Sequence, residues 1–501
     1  MTTTASGHDQ RLRPHRRHVL AGLAAMAAAP LAGPAEARRA PPGETAWRGL
    51  KETLSGPLLR PGDAGFALVT RPNNLRYAAI LPTAVARCRT VEDVRAAILW
   101  ARETGIPLAA RSGGHSYAGF SQTTGLMIDM SLMHAIELDR SAGRAVLQGG
   151  ARNAHVYAAL KSIGATITHG RCLGVGAAAF LLGGGIGFNM RAFGLGADQV
   201  LETEMVTADG RIVTASERDH ADLFWASRGI GGGNLGIHTR FVIQAQEARP
   251  MTAFSIAWKQ DHEAVAGALL AALAAGPDDV GAKVTIATDP PHRGGASGLT
   301  VSLLGQVRGD RAALADLLAP AYRIARPAAE TIRPLPYWDA QAMLSEDGGP
   351  GRYQEKSRFV TRAEAEALLP EAMARLARFP GSADGAQAKF FLTGGRINRV
   401  APGATAFVHR ASDWLFSLEI GWSGTDTAEA IEAALAWLDT SYDDMTRDVS
   451  GGAYQNFPDP SLRDAATAYH GANLPRLMEV KRRYDPDNLF RFGQSVRPAG
   501  A

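Results

Sequence analysis

Arg111-Ser112-Gly113-Gly114-His115-Ser116 places an imidazole, a nucleophile near neutral pH, in a glycine-rich loop. Farther along, Gly170-Arg171-Cys172-Leu173-Gly174-Val175-Gly176 places a thiol between glycines. A free cysteine has a pKa of about 8.5, so a cationic neighbour such as Arg171 favours the reactive thiolate. Loops without Cβ atoms aim backbone N–H groups at a pyrophosphate. Further glycine runs lie at Leu182-Gly183-Gly184-Gly185-Ile186-Gly187 and Gly231-Gly232-Gly233-Asn234-Leu235-Gly236. Together such loops can wrap a long dinucleotide, and the histidine and cysteine offer it covalent anchors. Each loop alone also reads as a tight turn or bulge.

The run Gly231–Gly236 formally fits G-x-G-x-x-G, which has meaning only between a strand and a helix. Here a helical stretch precedes it and the strand-like Phe241–Gln244 follows, so a Rossmann nicotinamide site is rejected.

The elements that position these loops follow from periodicity. Thr90-Val91-Glu92-Asp93 starts a helix that Gly105 ends, and Ile106–Ala110 is a short buried strand leading into the His115 loop. Strands follow at Gly125–Met130, Ile136–Leu138 and Arg144–Gln148, then a helix over Asn153–Ile163. Asp209-Gly210 turns a hairpin of Glu204–Ala208 and Arg211–Thr214. From about Pro250 the glycine loops thin out. Strands at Ala253–Trp258, Leu299–Val307, Lys389–Thr393 and Trp414–Trp422 alternate with helices at His262–Ala275, Arg311–Leu318, Arg362–Ala377 and Ala428–Thr440. That pattern predicts an antiparallel sheet covered by helices. A last helix, Leu474–Tyr484, stops at Asp485-Pro486.

The chain has 501 residues, 46% apolar and 20% charged, enough for two or three packed units. Arg16-Arg17, an apolar stretch from Val19 to Leu31 and Ala35-Glu36-Ala37 read as a twin-arginine export signal over 1–37. A periplasmic or secreted location is therefore expected. The alternative is an uncleaved basic tail. Arg11, Arg13, Arg16 and Arg17 against Asp9 and Glu36 take half of the +4 net charge, so nothing points to a nucleic-acid partner. The apolar stretch falls short of the roughly 20 residues that span a bilayer, and no stable membrane insertion is expected. Two cysteines, Cys88 and Cys172, are no disulfide scaffold, though they can pair. No metal site is expected.

The loops Arg111–Ser116, Gly170–Gly176, Leu182–Gly187, Gly194-Leu195-Gly196-Ala197-Asp198 and Asp222–Thr239 resemble, in order, those of FAD-linked oxidases of the vanillyl-alcohol-oxidase (PCMH-type) fold. The C-terminal motifs are similar to the berberine-bridge-enzyme-like subgroup. They are Tyr454-Gln455-Asn456-Phe457, Tyr469-His470-Gly471-Ala472-Asn473, Val480–Phe490 and Gln494-Ser495. The resemblance covers roughly 80–245 and 450–496. It implies an α+β fold: a two-lobed FAD-binding domain over 38–249, a substrate domain inserted over 250–449, and a segment over 450–501 returning to the FAD domain. It further implies that His115 bonds to the flavin 8α methyl and Cys172 to flavin C6. The implied cofactor contacts are Arg111, Ser112, Gly113, Gly114, Ser116, Val175, Gly176, Gly184, Gly187, Asp198, Gly233, Asn234, Gly236, Ile237 and Asn456.

In the implied reaction a base takes an alcohol O–H proton while the C–H leaves as hydride to flavin N5. Tyr454 is the candidate base, matching the family's tyrosine beside the flavin. A tyrosine starts near pKa 10, so a second tyrosine, a carboxylate or an arginine is expected to activate it. Tyr353 is a weaker candidate partner, since Arg352-Tyr353-Gln354-Glu355-Lys356-Ser357 resembles the family's Lys-x-Ser strand. Otherwise Tyr454 is a core tyrosine with a satisfied hydroxyl. His409-Arg410, on a predicted strand, can face the flavin or pack elsewhere. Val175, three residues after Cys172, resembles the oxygen-permissive state, so an oxidase releasing hydrogen peroxide is favoured over a dehydrogenase. Sugars, oligosaccharides and secondary metabolites are the implied substrates. Trp258, Trp338, Trp414 and Trp422 are either stacking surfaces or core. An oxidative cyclase and a catalytically inactive flavin binder are the competing readings. The sequence leaves the oligomeric state open.

Overall fold

Thr90 caps the helix Val91–Thr104 by accepting from Asp93 N at 3.2 Å, and Gly105, at φ 71°, ends it. The Asp93 carboxylate also gathers the N–H groups of Ser55, Gly56 and Arg89, fastening the helix start to the preceding loop. This description comes from a computed structural model, which describes residues 41–289, 298–346 and 348–500. The leader read over 1–37 lies outside the described residues.

Val91–Thr104 is the crossover of a parallel unit. Ala84–Arg87 and Leu108–Arg111 both pair in parallel with Leu126–Asp129, which lies between them. Leu58–Leu59 adds an antiparallel edge. Leu108–Arg111 ends where the His115 loop begins, so that loop leaves the carboxyl end of a sheet strand, the usual place for ligands in such sheets.

A second sheet is antiparallel throughout. Its order is Ile136–Asp139, Arg144–Gln148, Gly236–Gln244, Val200–Thr207 and Ile212–Ser216. The last helix, Leu474–Tyr484, packs Leu477, Val480 and Tyr484 into the same core as Phe241, Leu147 and Trp225.

The third sheet has seven antiparallel strands: Ala329–Leu335, Met251–Trp258, Leu299–Arg308, Val280–Thr288, Ala386–Leu392, Trp414–Trp422 and Arg352–Val360. Alternation sends Val284, Phe390, Phe416 and Leu418 to one face. There they meet Leu269 and Leu273 of helix His262–Ala274, Leu314 of Ala312–Ile324, Leu368 of Arg362–Leu376 and Leu438 of Ala428–Met445. The α+β architecture and the helix-covered antiparallel sheet are therefore as expected.

Several expectations need correction. Val280–Thr288 and Ala329–Leu335 are strands beyond those expected, and the strand expected at Arg352–Ser357 runs on to Val360. His409-Arg410 lies on no strand; the backbone before it bonds a turn instead, Ala406 N to Trp225 O at 3.2 Å and Phe407 N to Arg228 O at 3.1 Å. Cys88 and Cys172 are both free. Trp258, Trp414 and Trp422 belong to the core of the seven-stranded sheet, and Trp338 packs in the second core with its indole N–H on Ala165 O. None of the four lines the main cavity. Among the described residues no helix is long and apolar enough to cross a membrane, and no cluster of metal-ligating side chains occurs.

Candidate active site

The glycines of the His115 and Cys172 loops lock the two loops together. A Cβ on Gly113 would lie 2.3 Å from Gly176 N and 2.5 Å from Gly174 O, and one on Gly176 would lie 2.4 Å from Ser112 Oγ. Gly174 is vacant of side chain because the His115 ring fills that place, its Nε2 2.6 Å from where a Cβ would stand. Gly113→Ala is expected to force the loops apart, with an overpacking cost of about 1–3 kcal/mol. Thermal unfolding and retention of bound cofactor would check this.

The loops border a cavity of about 740 Å³, within the usual range for a cofactor-and-substrate site. His115 and Cys172 both line it. A Cβ on Gly348 would sit 3.4 Å from Cys172 Sγ and 3.6 Å from His115 Cε1, so imidazole and thiol flank a common point. Burial, with Arg152 and Arg111 nearby, pushes His115 down to about 4. The ring is thus neutral and nucleophilic at physiological pH. Burial raises the Cys172 thiol, while Arg171, Lys283 and Lys389 pull it down.

On another wall, Gly231, Gly232 and Gly233 meet nothing closer than 3.6 Å where a Cβ would stand. Gly231 and Gly233 have φ of 87° and 75°; the Gly231 N–H donates to Leu182 O at 2.8 Å, and the turn this fixes presents the Gly232–Gly233 backbone to the cavity, where it can cradle an anion. Asn234 fixes this turn, its Nδ2 donating to Ile230 O at 2.9 Å and its Oδ1 accepting from Val496 N at 2.8 Å. Lys481, fully buried, donates to Asn234 O, Asp485 Oδ2 and Phe490 O, each at 2.6 Å. The C-terminal segment therefore holds the cradle from behind.

Tyr454, 1% exposed, also lines the cavity. Its phenol oxygen accepts from Gly185 N at 3.0 Å and Asn456 Nδ2 at 3.1 Å. Burial pushes its pKa up to about 12, and the donors of Asn456, Gly185 and Ile186 pull the other way.

An FAD-binding-domain model matches residues 82–216 and a "berberine and berberine like" model matches 453–497. The chain is 31% identical to the Bacillus subtilis FAD-linked oxidoreductase YgaK, covering 83% of this chain and 91% of that one. This chain belongs to the berberine-bridge-like FAD-linked oxidoreductases. It is also 29% identical to a xylooligosaccharide oxidase of Thermothelomyces thermophilus, over 83% of this chain and 88% of that protein. A solved structure concerning "the 6-s-cysteinyl, 8 alpha-N1-histidyl FAD" of the glucooligosaccharide oxidase from Acremonium strictum superposes with a TM-score of 0.76. Its identity is 25%, and the match covers 89% of this chain and 97% of that one.

The cavity of this FAD-linked oxidoreductase fits the cofactor. The open Gly231–Gly233 turn suits the pyrophosphate, and the His115–Cys172 pair suits the edge of the flavin ring. Ser112, Gly113, Gly114, Ser116, Val175, Gly176, Gly187, Gly233, Asn234, Gly236, Ile237 and Asn456 line the same cavity. Three residues expected there stand behind the wall. The Arg111 guanidinium bonds Gln122 Oε1 and Arg71 O. Gly184, at φ 112°, packs against Phe407. Asp198 holds Arg410 at 2.7 and 2.8 Å. None of the three lines the cavity.

Tyr353, the candidate partner of Tyr454, is engaged elsewhere, and so is His409, whose sequence allows either facing the flavin or packing elsewhere. Tyr353 O–H donates to Asn73 Oδ1 at 3.0 Å, and His409 pairs with Tyr469 O and stacks on Phe359. The phenol meets amide donors instead of a tyrosine, carboxylate or arginine.

The sequence reading missed a charged cluster on the cavity face of the seven-stranded sheet. Glu355 and Glu419 are directly opposite on neighbouring strands. Two carboxylates in that register repel unless a proton or cation stands between them. Lys389 Nζ supplies the cation, 3.0 Å from Glu355 Oε1 and 2.6 Å from Glu419 Oε2. Burial and the facing Glu419 raise Glu355. Lys283, buried beside Arg171 and Lys389, is pushed down to about 7. Only the alternation of the strand Ala386–Leu392 hints at this, since Gln387 and Lys389 fall on the face opposite Phe390.

Proposed function

We propose that this enzyme is a carbohydrate oxidase. In this reading it takes hydride from a CH–OH carbon of a sugar or oligosaccharide, passes the electrons to dioxygen with release of hydrogen peroxide, and holds FAD through both His115 and Cys172. The observation that carries the reading is the presence, on one cavity, of a neutral imidazole and a thiol flanking a single point and a phenol oxygen fed by two N–H donors. FAD bound there supplies the hydride acceptor.

As the phenolate, Tyr454 takes the substrate hydroxyl proton; the N–H groups of Gly185 and Asn456 hold the negative charge on its oxygen before that transfer, in a site shielded from water. Gln387, Lys389 and Glu419, which line the cavity, offer donors and acceptors to a polyhydroxylated substrate. Val175 on the cavity wall leaves the tether edge open to dioxygen. The relatives named as xylooligosaccharide and glucooligosaccharide oxidases support this substrate class.

A peroxide assay over a panel of mono- and oligosaccharides tests the oxidase reading. Turnover with an artificial dye acceptor but not with dioxygen would make the enzyme a dehydrogenase instead. Acid precipitation tests the anchors. Wild type is expected to stay yellow, His115→Ala and Cys172→Ala each to keep colour through the remaining bond, and the double variant to lose it. Colour washing out of the wild type would sink the covalent assignment.

A further inference from the structure

Gly348, between helix Tyr337–Leu344 and strand Arg352–Val360, lies against the two anchor residues. Asn73 pins it, donating from Nδ2 to Gly348 O at 2.6 Å and accepting from Gly351 N at its own carbonyl at 3.0 Å. Gly348, at φ 59°, leaves room for Cys172 and His115 alike. Just before it, Glu346 pairs through its backbone with the Cys172 loop: Glu346 N donates to Arg171 O at 3.3 Å, and Glu346 forms a parallel bridge with Cys172.

The Glu346 carboxylate is consequently aimed at the thiol. Cys172 Sγ donates to Glu346 Oε2 at 3.7 Å, a distance within reach for sulfur. The other oxygen, Oε1, is ion-paired with the Arg171 guanidinium and lies 3.7 Å from Lys283 Nζ. The two cations fix the carboxylate and also favour negative charge on sulfur. No role in the flavin chemistry read from the sequence uses Glu346.

We infer that Glu346 is the base that ionises Cys172 for its bond to the flavin, an inference that rests on the two-anchor reading proposed above. In that step the Cys172 S–H proton passes to Glu346 Oε2, and sulfur bonds to flavin C6. The C6 hydrogen leaves as a proton. The two electrons released remain on the flavin ring until dioxygen takes them, together with two protons, as hydrogen peroxide. His115 needs no such help, because its imidazole is already neutral.

Tryptic mapping of the purified flavoprotein reads each anchor separately. Cleavage after Arg111, Arg140, Arg171 and Arg191 releases Ser112–Arg140 and Cys172–Arg191. Wild type should yield these two peptides bridged by one flavin. Glu346→Gln should yield flavin on Ser112–Arg140 alone, with Cys172–Arg191 free and alkylated by iodoacetamide. Bridging in that variant should be slowed by about 100-fold or more, the usual contribution of a positioned base. Glu346→Asp should recover part of the rate, which a purely structural role would not explain. Bridging of Glu346→Gln at the wild-type rate overturns the inference and leaves the two-anchor reading intact. Loss of flavin from both peptides assigns Glu346 to binding and also overturns it. An unbridged, alkylated Cys172 in the wild type overturns the two-anchor reading, and the inference with it.

Discussion

Tyr454→Phe should cut kcat/KM by about 10²–10⁴-fold while the protein remains yellow. The substitution removes the proton-accepting oxygen but keeps the ring that packs against Phe359, Phe407 and Phe457. A spectrum unchanged from wild type would show that the cavity survives. The pH profile supplies an independent check. A base works only when deprotonated, and burial pushes this phenol up to about 12. The active fraction in the wild type should therefore rise with pH, by about tenfold per unit across the alkaline limb. In Tyr454→Phe that limb should be flat. A wild-type profile that levels off near neutrality would place the proton on another group, and Glu355 and Lys283 would be the first to replace.

Lys481→Met should destabilise the protein by about 3–5 kcal/mol, because it strands a buried carboxylate. Asp485 would keep the N–H groups of Leu489 and Phe490 but lose its cation, and the carbonyls of Asn234 and Phe490 would lose a donor. Asn234 closes the Gly231–Gly233 turn, so retention of FAD should weaken together with stability. Urea unfolding and FAD release, measured side by side, would separate the two effects. A Lys481→Met/Asp485→Asn double variant should recover much of the loss, since neither charge then remains buried alone. If the single variant unfolds as late as wild type, the C-terminal segment does not support the cradle in the way described.

The sequence reading went furthest where local rules and burial agree. The strand Trp414–Trp422 and the helix Leu474–Tyr484 were read at their observed bounds, one from period-two alternation and the other from a helical stripe stopped at Asp485-Pro486. The His115 and Cys172 loops were legible because glycine, histidine and cysteine seldom recur in such order without a reason. Other strands were hidden by their own chemistry. Arg352–Val360 carries Glu355, Lys356 and Ser357 in buried positions, so the apolar signal of an interior strand is missing and only the family resemblance marked its first part. Ala329–Leu335 is an exposed edge strand that contains Pro334, as edges often do. Val280–Thr288 mixes glycine, alanine and lysine, and one of its faces turns to the cavity. Glu346 had no signal at all, being a single acidic residue in a loop that only the tertiary fold brings to Cys172. Lys481 and Asp485 stand four apart on a helix end, a pairing visible in the sequence, yet their complete burial was not.

The seven-stranded sheet divides its labour by side. Val284, Phe390, Leu418 and Ile420 are locked under four helices, whereas Lys283, Gln387, Lys389 and Glu419 alternate with them and look into the cavity. Mutational drift on the second set can therefore redraw which molecules are admitted without eroding the hydrophobic foundation beneath. A lineage built on such a scaffold is free to diversify its diet while its framework stays put.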